Sequence, residues 1–441
     1  MSLKLASEES FRKIAHTVLS SSKADDAFIN FSDSESSTLR FANNQVVQNV
    51  SVREPSVTIR AAFGQKHGTA ATNRLDEASL LDTLRKAEEI ARLAPEDREY
   101  LPPLPKQEYA RTPSFRSSTA EVTPMDAARR VKPVIARCEE GGLIGAGILT
   151  NSVSADGVAA STGLFAYEQS TAASFSLTAT VDDSSGWAYN SHRDIDALGI
   201  DLRTKVAVDK AIRSKAPTEL PPGHYPVILE PAAVAGVLGP LSFGLGAKSY
   251  FKGNSALAGK LGSQIVDPRL TFRSEPAHRD LLGSAFDGGS GLAVKPMTWI
   301  ANGVLKQLYF DRFTAKEHGV EPTPFPGAGV VTFGGPTAAS LEELIAGAKR
   351  AILITNFWYI RSVDPADLTI TGMTRDGTFL VEDGRIVAGV KNFRFHDSPL
   401  RCFANVEAAT VPMEAVTNER GKSMLPAVRL PDFHLSSVTK F

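Results

Sequence analysis

In the N-terminal part of the chain, the spacing of apolar residues is first typical of a helix, then of strands, and then of a helix again. Apolar positions recur at helical spacing over residues 7–21, behind an acidic first turn, and again over residues 76–94. The residues between them alternate in the manner of strands and are rich in β-branched side chains, in three segments, 26–34, 37–51 and 56–72. Asn43-Asn44 and Pro55-Ser56 are predicted turns between these strands. The pattern predicts a small α+β unit over residues 1–95, in which two helices flank an antiparallel sheet.

Prolines end this periodicity, and residues 96–123 are predicted to form a Pro-rich linker. The next region, 124–222, is predicted to hold a helix at each end and a meander of hairpins between them. The helices are expected over 124–141, with Pro133 as a kink or boundary, and over 195–215; the hairpin turns are expected at Asp156-Gly157 and Thr162-Gly163.

The remaining residues, 223–441, are predicted to form a β-rich C-terminal domain containing one glycine-rich helix over 231–246. The fold class predicted for the whole chain is therefore α+β. It comprises an N-terminal helix and antiparallel-sheet domain followed by a mostly antiparallel C-terminal domain.

Composition excludes several classes of function. The chain has 441 residues, of which 42% are hydrophobic and 22% charged, as in soluble proteins of two or three domains. Lys and Arg (48) balance Asp and Glu (49), and the chain has no basic run, so nucleic-acid binding is disfavoured. The most apolar segment, 232–247, is too short to span a bilayer and is broken by Pro240. Charged N-terminal residues and two widely separated cysteines favour a cytoplasmic location.

The glycine-rich stretch 236–261 resembles a phosphate-binding loop but fails its spacing. A P-loop has four residues between its first glycine and Gly-Lys, followed by Ser or Thr, whereas five residues separate Gly253 from Gly259 and Leu261 follows Lys260. No βαβ unit surrounds the Gly-x-Gly at 244–246. A helix of small residues that packs closely against a sheet is the favoured interpretation.

Other catalytic patterns are weak. The chain has no HExxH, CxxC or GxSxG motif, and its histidines do not recur at metal-ligand spacing. His396 and Cys402 could share a metal, but an exposed histidine and a buried cysteine are favoured. Asp311 and Arg312 could orient a substrate, but an ion pair or a helix cap is the favoured role.

Three segments resemble the TldD/TldE (PmbA) family, and the likeness runs from about residue 25 to the end of the chain. The most specific is 300-IANGVLKQLYFDRFTAKEHG-319, which is similar to the family's "NGVLK…DR.TA…G" segment. The C-terminal strands of the family resemble 370-ITGMTRDGTFLVEDGRI-386 and 431-PDFHLSSV-438. The resemblance implies a TldD–TldE heterodimer with zinc metallopeptidase activity.

In that family, the TldD subunit carries HExxxH on a helix that follows a short apolar strand, and a cysteine near the C-terminus is the third zinc ligand. Here VIL at 227–229 precedes the corresponding helix, and GPLSFG occupies the motif. The resemblance therefore places Gly239 and Gly244 at the histidine positions and Pro240 at the glutamate, with the cysteine position near Arg420. Glycine and proline side chains cannot bind zinc or accept a proton.

The resemblance thus implies a TldE-type subunit with no catalytic residue, metal or cofactor of its own. Zinc is expected in a TldD-type partner, and peptides are the expected substrates; self-association stays open. Candidate chamber or interface residues lie in the glycine-rich loop and in the segment 309–319. They are Lys248, Tyr250, Lys252, Asn254, Asp311 and Arg312.

Two alternatives remain. The chain could be a stand-alone hydrolase using another constellation, for which Asp287, Asp311, Glu317 and His318 are the first candidates. It could instead be a binding or regulatory protein, including the gyrase-modulating role for which the family was partly named.

Overall fold

The computed structural model describes residues 5–417 and 421–439, which form three β-sheets and their covering helices. The helices are α1 Glu8–Ser21, α2 Glu77–Leu93, α3 Ser117–Ala120, α4 Pro124–Glu140, α5 Ile200–Arg213, α6 Pro231–Leu238, α7 Leu241–Gly244, α8 Ala247–Phe251, α9 Arg312–His318, α10 Leu341–Ala346 and α11 Pro399–Cys402. The predicted α+β class is confirmed. Among the described residues, no helix combines the length and the apolar character needed to cross a bilayer.

The first sheet is antiparallel and is built from β1 Asp26–Ala42, β2 Gln45–Phe63, β3 Lys66–Thr72, β4 Ile144–Ala160, β5 Phe165–Val181 and β6 Ser184–His192, in the order β3-β2-β1-β4-β5-β6. Because β1 pairs with both β2 and β4, strands from the segments predicted as separate units, 1–95 and 124–222, share this sheet. The predicted linker 96–123 runs between two parts of one layer rather than between two sheets.

Two predicted turns are wrong because the strands continue through them. Strand β2 passes through Pro55, where the missing N–H is tolerated because β3 pairs only with Val57 and the residues after it, so Pro55 lies on the sheet edge. Strand β4 passes through Asp156 and Gly157. A Cβ at Gly157 would lie 2.5 Å from the ring of Phe11, so this glycine admits α1 to the sheet. The turns at Asn43-Asn44 and Thr162-Gly163 are present.

Two predicted helices also differ in detail. Helix α4 continues through Pro133, which lies on its exposed face, so that water can solvate the carbonyl left without a helical N–H. The segment predicted as a helix over 195–215 is split at Gly199. This residue adopts φ 62°, ends a short 3₁₀ turn (Ile195–Leu198) and precedes α5.

The C-terminal part contains two sheets. One has the strands β8 Leu270–Ser274, β9 Met297–Ala301, β10 Val304–Leu305, β11 Gly329–Phe333, β19 Met413–Thr417 and β20 Gly421–Leu425, in the order β10-β9-β8-β11-β20-β19. The other contains β7 Gly223–Leu229, β12 Arg350–Ile354, β13 Phe357–Asp364, β14 Thr369–Thr374, β15 Thr378–Glu382, β16 Arg385–Gly389, β17 Phe393–Asp397, β18 Ala408–Ala409 and β21 Val428–Val438. Its order is β13-β14-β17-β21-β7-β12-β15-β16, with β18 beside β21. Pairs β7–β12 and β11–β20 are parallel.

The largest apolar core lies between these two sheets and surrounds α6. Val234 and Val237 of this helix are fully buried. A Cβ at Gly236 would come within 2.9 Å of Ile360, so the helix packs closely on β13. The close packing predicted for the small residues is present, and it places the end of α6 beside the candidate site.

Candidate functional site

The glycine-rich segment predicted as one helix over 231–246 forms two short helices, α6 and α7, and α8 follows directly after it. Helix α6 ends at Gly239, whose amide still bonds to the carbonyl of Ala235 at 3.0 Å. Pro240 remains in the right-handed helical region (φ −55°) but has no N–H to donate to the carbonyl of Gly236. The helical hydrogen-bond ladder therefore stops where the resemblance places the zinc motif.

The end of α6 opens onto a cavity of about 430 Å³. Gly239, Leu238 and Leu241 line it from the helix side, and Phe272, Phe325 and Ile360 line it from the sheets and loops. Phe243 and Phe325 stand at its rim with 65% and 53% of their surface exposed. A smaller cavity of about 290 Å³ lies on the other side of α7 and is lined by Pro240, Gly244 and Asn254. Pockets of this size and apolar character suit apolar side chains.

The residues around these cavities do not fit zinc. Neither lining contains a carboxylate, imidazole or thiol, the groups that zinc binds. The charged residues in the larger cavity are the cations Arg361 and Lys422. Within the described parts of the chain, no three His, Cys, Asp or Glu side chains are grouped to hold a metal ion. Arg420, the counterpart of the family's cysteine, lies outside the described residues.

His396 lies on β17 of the second C-terminal sheet, and Cys402 is the last residue of the short helix α11. Cys402 is buried, and burial together with the neighbouring Asp397 raises its thiol pKa well above the ordinary range. His396 is exposed, and its ring lies 6.2 Å from that of His434. A protonated, buried thiol is a poor metal ligand, so nothing in this arrangement favours joint metal binding.

The two candidate segments from the sequence meet in the fold. The amide of Ala247 donates to the carbonyl of Tyr309, and the amide of Tyr309 donates to the carbonyl of Leu245, both at 2.8 Å. The rings of Phe251 and His318 stack with centroids 3.7 Å apart. Helices α8 and α9 therefore form one surface, beside the cavities rather than inside them.

Most of the candidate side chains on this surface have local partners. The ammonium of Lys248 pairs with Glu99 of the predicted linker at 2.7 Å, which raises the pKa of Lys248. The hydroxyl of Tyr250 accepts from the amide of Leu261 at 3.2 Å. Lys252 is exposed at the end of α8. Of the six candidates, Asn254 lines a cavity.

Asp311 and Arg312 have structural contacts. Asp311 caps α9 by accepting from the amide of Thr314 at 2.9 Å. The guanidinium of Arg312 donates to the carbonyl of Pro102, and burial beside Arg60 lowers its pKa. The pair thus caps a helix and attaches the predicted linker to the C-terminal part.

Three of the four candidates for a separate hydrolase are likewise engaged locally, and the fourth, Glu317, is exposed on α9. Asp287 closes a turn by accepting from the amide and hydroxyl of Ser290, at 2.8 and 2.7 Å. His318 stacks on Phe251 and Asp311 caps α9. The structure does not pair these groups as nucleophile and base.

Phe325 and Arg361, which line the larger cavity, were not among the residues singled out from the sequence. They come from segments more than 80 residues away from Gly239 in the chain. Phe325 lies in a loop and Arg361 on β13, and no spacing pattern links either residue to Gly239, so only the fold could bring them to the site.

Comparison with known proteins supports the family. The model described as PmbA/TldA metallopeptidase domain 1 matches residues 27–91, and the model of the PmbA/TldA metallopeptidase C-terminal domain matches residues 222–437. A search of curated proteins returned no match.

Solved structures of the same fold include TldE from Thermococcus kodakarensis, with a TM-score of 0.87 and 18% identity over 97% of this chain and 100% of that one. A proposed modulator of DNA gyrase from Thermotoga maritima has a TM-score of 0.85 and 20% identity, over 96% and 99% of the two chains. Another, from Bacteroides thetaiotaomicron, has a TM-score of 0.82 and 18% identity, over 98% and 99%. At these identities the likeness shows the fold, and the two domain matches together show that the chain belongs to the PmbA/TldD family.

Proposed function

We propose that this chain is the non-catalytic, TldE-type subunit of a heterodimeric zinc metallopeptidase that trims or degrades unfolded or leader peptides. One observation carries the proposal. At the end of α6, Gly239, Pro240 and Gly244 stand where the family resemblance expects ligands and a general base, and the adjoining cavities contain no acid, imidazole or thiol.

The partner is a TldD-type subunit that holds the zinc. This chain supplies part of the wall of a shared chamber, in which an extended peptide is held by its backbone with little dependence on sequence. The apolar cavity beside α6 can receive side chains of such a peptide, since its lining is mostly aliphatic and aromatic.

Metal content and peptidase activity test this role, measured on the purified chain alone and mixed with a TldD-type protein. We expect zinc and chelator-sensitive hydrolysis in the mixture, with the metal bound by the partner, and neither zinc nor hydrolysis in the chain alone. Chelator-insensitive peptidase activity of the isolated chain would show a stand-alone hydrolase. Gyrase binding without any cleavage would show a regulatory protein.

The double substitution Gly239→His and Gly244→His is a sharper control within this chain. We expect it to confer no hydrolysis, because the general base and the third ligand are still absent. A Cβ at Gly244 would already lie 3.3 Å from Leu368 and 3.4 Å from Leu257, so an imidazole there is also crowded. Zinc-dependent hydrolysis by the folded double variant would contradict the assignment of the missing groups.

A further inference from the structure

The N-terminal sheet has helices on one face only. Helices α1, α2, α4 and α5 pack on the face that presents Phe31, Leu39, Leu149 and Phe175. The register of the strands puts the alternate residues on the other side. We call this side the open face. It is formed by the alternate residues of 34–40 in β1, 48–54 in β2, 144–154 in β4 and 170–180 in β5, and by Trp187 and Tyr189 of β6. Ser185 and Ser191 of β6 instead contact the C-terminal part, through Asp376 and Lys422. Most of its side chains are half-buried or exposed.

The open face is nearly free of charge. Its centre consists of Ser, Thr and Ala side chains, and its charged members are Arg40, near the end of β1, and Glu54, on the part of β2 that forms the sheet edge. Apolar side chains stand towards its borders. Val50, Val52 and Ile144 are 40%, 43% and 53% exposed, and the rings of Trp187 and Tyr189 stack with centroids 5.8 Å apart.

Five of its hydroxyl groups, those nearest the centre of β4 and β5, bond to neighbours within the sheet. Thr150 and Ser174 share a hydrogen bond of 2.6 Å across β4 and β5, and Ser154 and Ser170 share one of 3.0 Å. The hydroxyl of Ser152 donates to the carbonyl of Ala172 at 3.3 Å. Groups that already have partners lose little when water is removed, so covering these five hydroxyls has a low desolvation penalty.

The size and flatness of the open face suit a protein partner. Five strands at about 4.8 Å spacing and roughly ten residues of length cover on the order of 800 Å², which is about what one partner contributes to a stable interface. Small side chains let a second sheet or helical layer approach closely, at about 10 Å between sheets. The scarcity of charged side chains on this face matches the charge-depleted centre of protein interfaces.

We propose that the open face binds the metallopeptidase subunit, with Val50, Thr150, Ser174 and Trp187 at the contact. This rests on the proposed function, which requires a second subunit, and adds the surface through which the two subunits assemble. Two helix positions on the opposite side, Leu93 and Ile212, are 88% and 48% exposed and lie outside the interface.

The test uses two double variants. The open-face variant carries Val50→Lys and Thr150→Lys, and the matched control carries Leu93→Lys and Ile212→Lys. Each is mixed with the TldD-type subunit, and the Kd of the complex is measured by analytical ultracentrifugation, after circular dichroism has confirmed folding. Because lysines buried without a partner oppose association, we expect the open-face variant to weaken the complex by at least about 100-fold. The control variant should stay within about 3-fold of the wild type.

Hydroxyl-radical footprinting of the wild type gives a readout that needs no variant. Labelling of Trp187, Tyr189 and Ile144 should fall on complex formation, while that of Leu93 and Ile212 stays unchanged. Wild-type affinity of the open-face variant, together with labelling of this face that is the same in the complex as in the free chain, would overturn the surface assignment alone. Absence of any complex would overturn both proposals. Self-association through this face in preference to the partner would show that the face binds a second copy of this chain instead of the metallopeptidase subunit.

Discussion

Asp33 shows how one buried residue links several elements of the N-terminal part. Its carboxylate is fully buried and accepts two bonds from Arg53 of β2, at 2.9 and 2.7 Å, and one from the amide of Ala6 at 2.8 Å. Burial alone would raise the pKa of Asp33, but the bonds from Arg53 and Ala6 outweigh it and hold the pKa below its ordinary value. The ionised side chain therefore joins β1, β2 and the segment preceding α1.

We expect Asp33→Asn to lower the free energy of unfolding by about 2 kcal/mol at neutral pH, because charge-assisted bonds to a buried acceptor are lost. Because the pKa of Asp33 is lower in the folded state than in the unfolded state, its contribution to stability is complete at pH values above the unfolded-state pKa. That contribution is lost as the pH falls through the folded-state pKa. The gap between wild type and variant should therefore be constant above about pH 5 and narrow below about pH 4. Urea unfolding across this range measures it.

Glu35 is the control, since it lies near the same arginine without bonding to it. Glu35→Gln should change stability by less than about 0.5 kcal/mol. A gap between wild type and the Asp33 variant that widens in acid would contradict the assignment.

At the scale of elements, glycines set how closely helices approach the edges of the N-terminal sheet. A Cβ at Gly186 of β6 would lie 2.0 Å from the carbonyl oxygen of Ala207 in α5. A Cβ at Gly68 of β3 would lie 2.4 Å from that of Ala87 in α2. The obstacle in both cases is backbone, which cannot rotate away, so each outer strand carries a glycine beneath its helix.

We expect Gly186→Ala to destabilise the fold by roughly 2–3 kcal/mol or more, because α5 must move away from β6. Gly223→Ala is the matched control, since the nearest atom to its added methyl would be 3.8 Å away on Tyr225. Thermal unfolding of the two variants measures the difference. Equal stability of the two would show that α5 shifts without penalty.

At the scale of the whole molecule, a buried ionic cluster joins the N-terminal sheet to the C-terminal part. Lys422 of β20 is buried and donates to Glu414 and to the carbonyl of Ser191 of β6, both at 2.6 Å. Glu414 also accepts from Arg203 of α5 at 2.9 Å and from Asn190 at 3.3 Å. Burial lowers the pKa of Lys422, and Glu414 opposes that shift.

The loss of Glu414 and the loss of Lys422 should lower the free energy of unfolding by different amounts. Glu414→Leu leaves a buried ammonium without its carboxylate and should lower stability by about 3–5 kcal/mol. Lys422→Met leaves Glu414 bonded to Arg203 and Asn190 and puts an apolar chain beside the apolar cavity, so we expect a loss of about 1 kcal/mol. Urea unfolding of both variants checks this order, and a larger loss for Lys422→Met would refute it.

The amino-acid sequence by itself determined the local features, because periodicity, capping and turn chemistry act over a few residues. Helices α1 and α2 and the alternating strands between them could be predicted from neighbouring positions. So could the glycine and proline residues at the place where the resemblance expects a zinc motif. The family resemblance was likewise carried by short segments such as 300–319, and the domain matches agree with it.

Only the tertiary structure decided which strands share a sheet, because pairing depends on residues far apart in the chain. It carried β2 through Pro55 on a free edge and β4 through Gly157 beneath Phe11, where local rules predicted turns. It also assembled the cavity from α6, Phe325 and Arg361 and left much of one face of the N-terminal sheet without a covering layer, beyond the end that packs on Phe286. Cavities and open faces arise from packing between distant segments, and no local pattern encodes them.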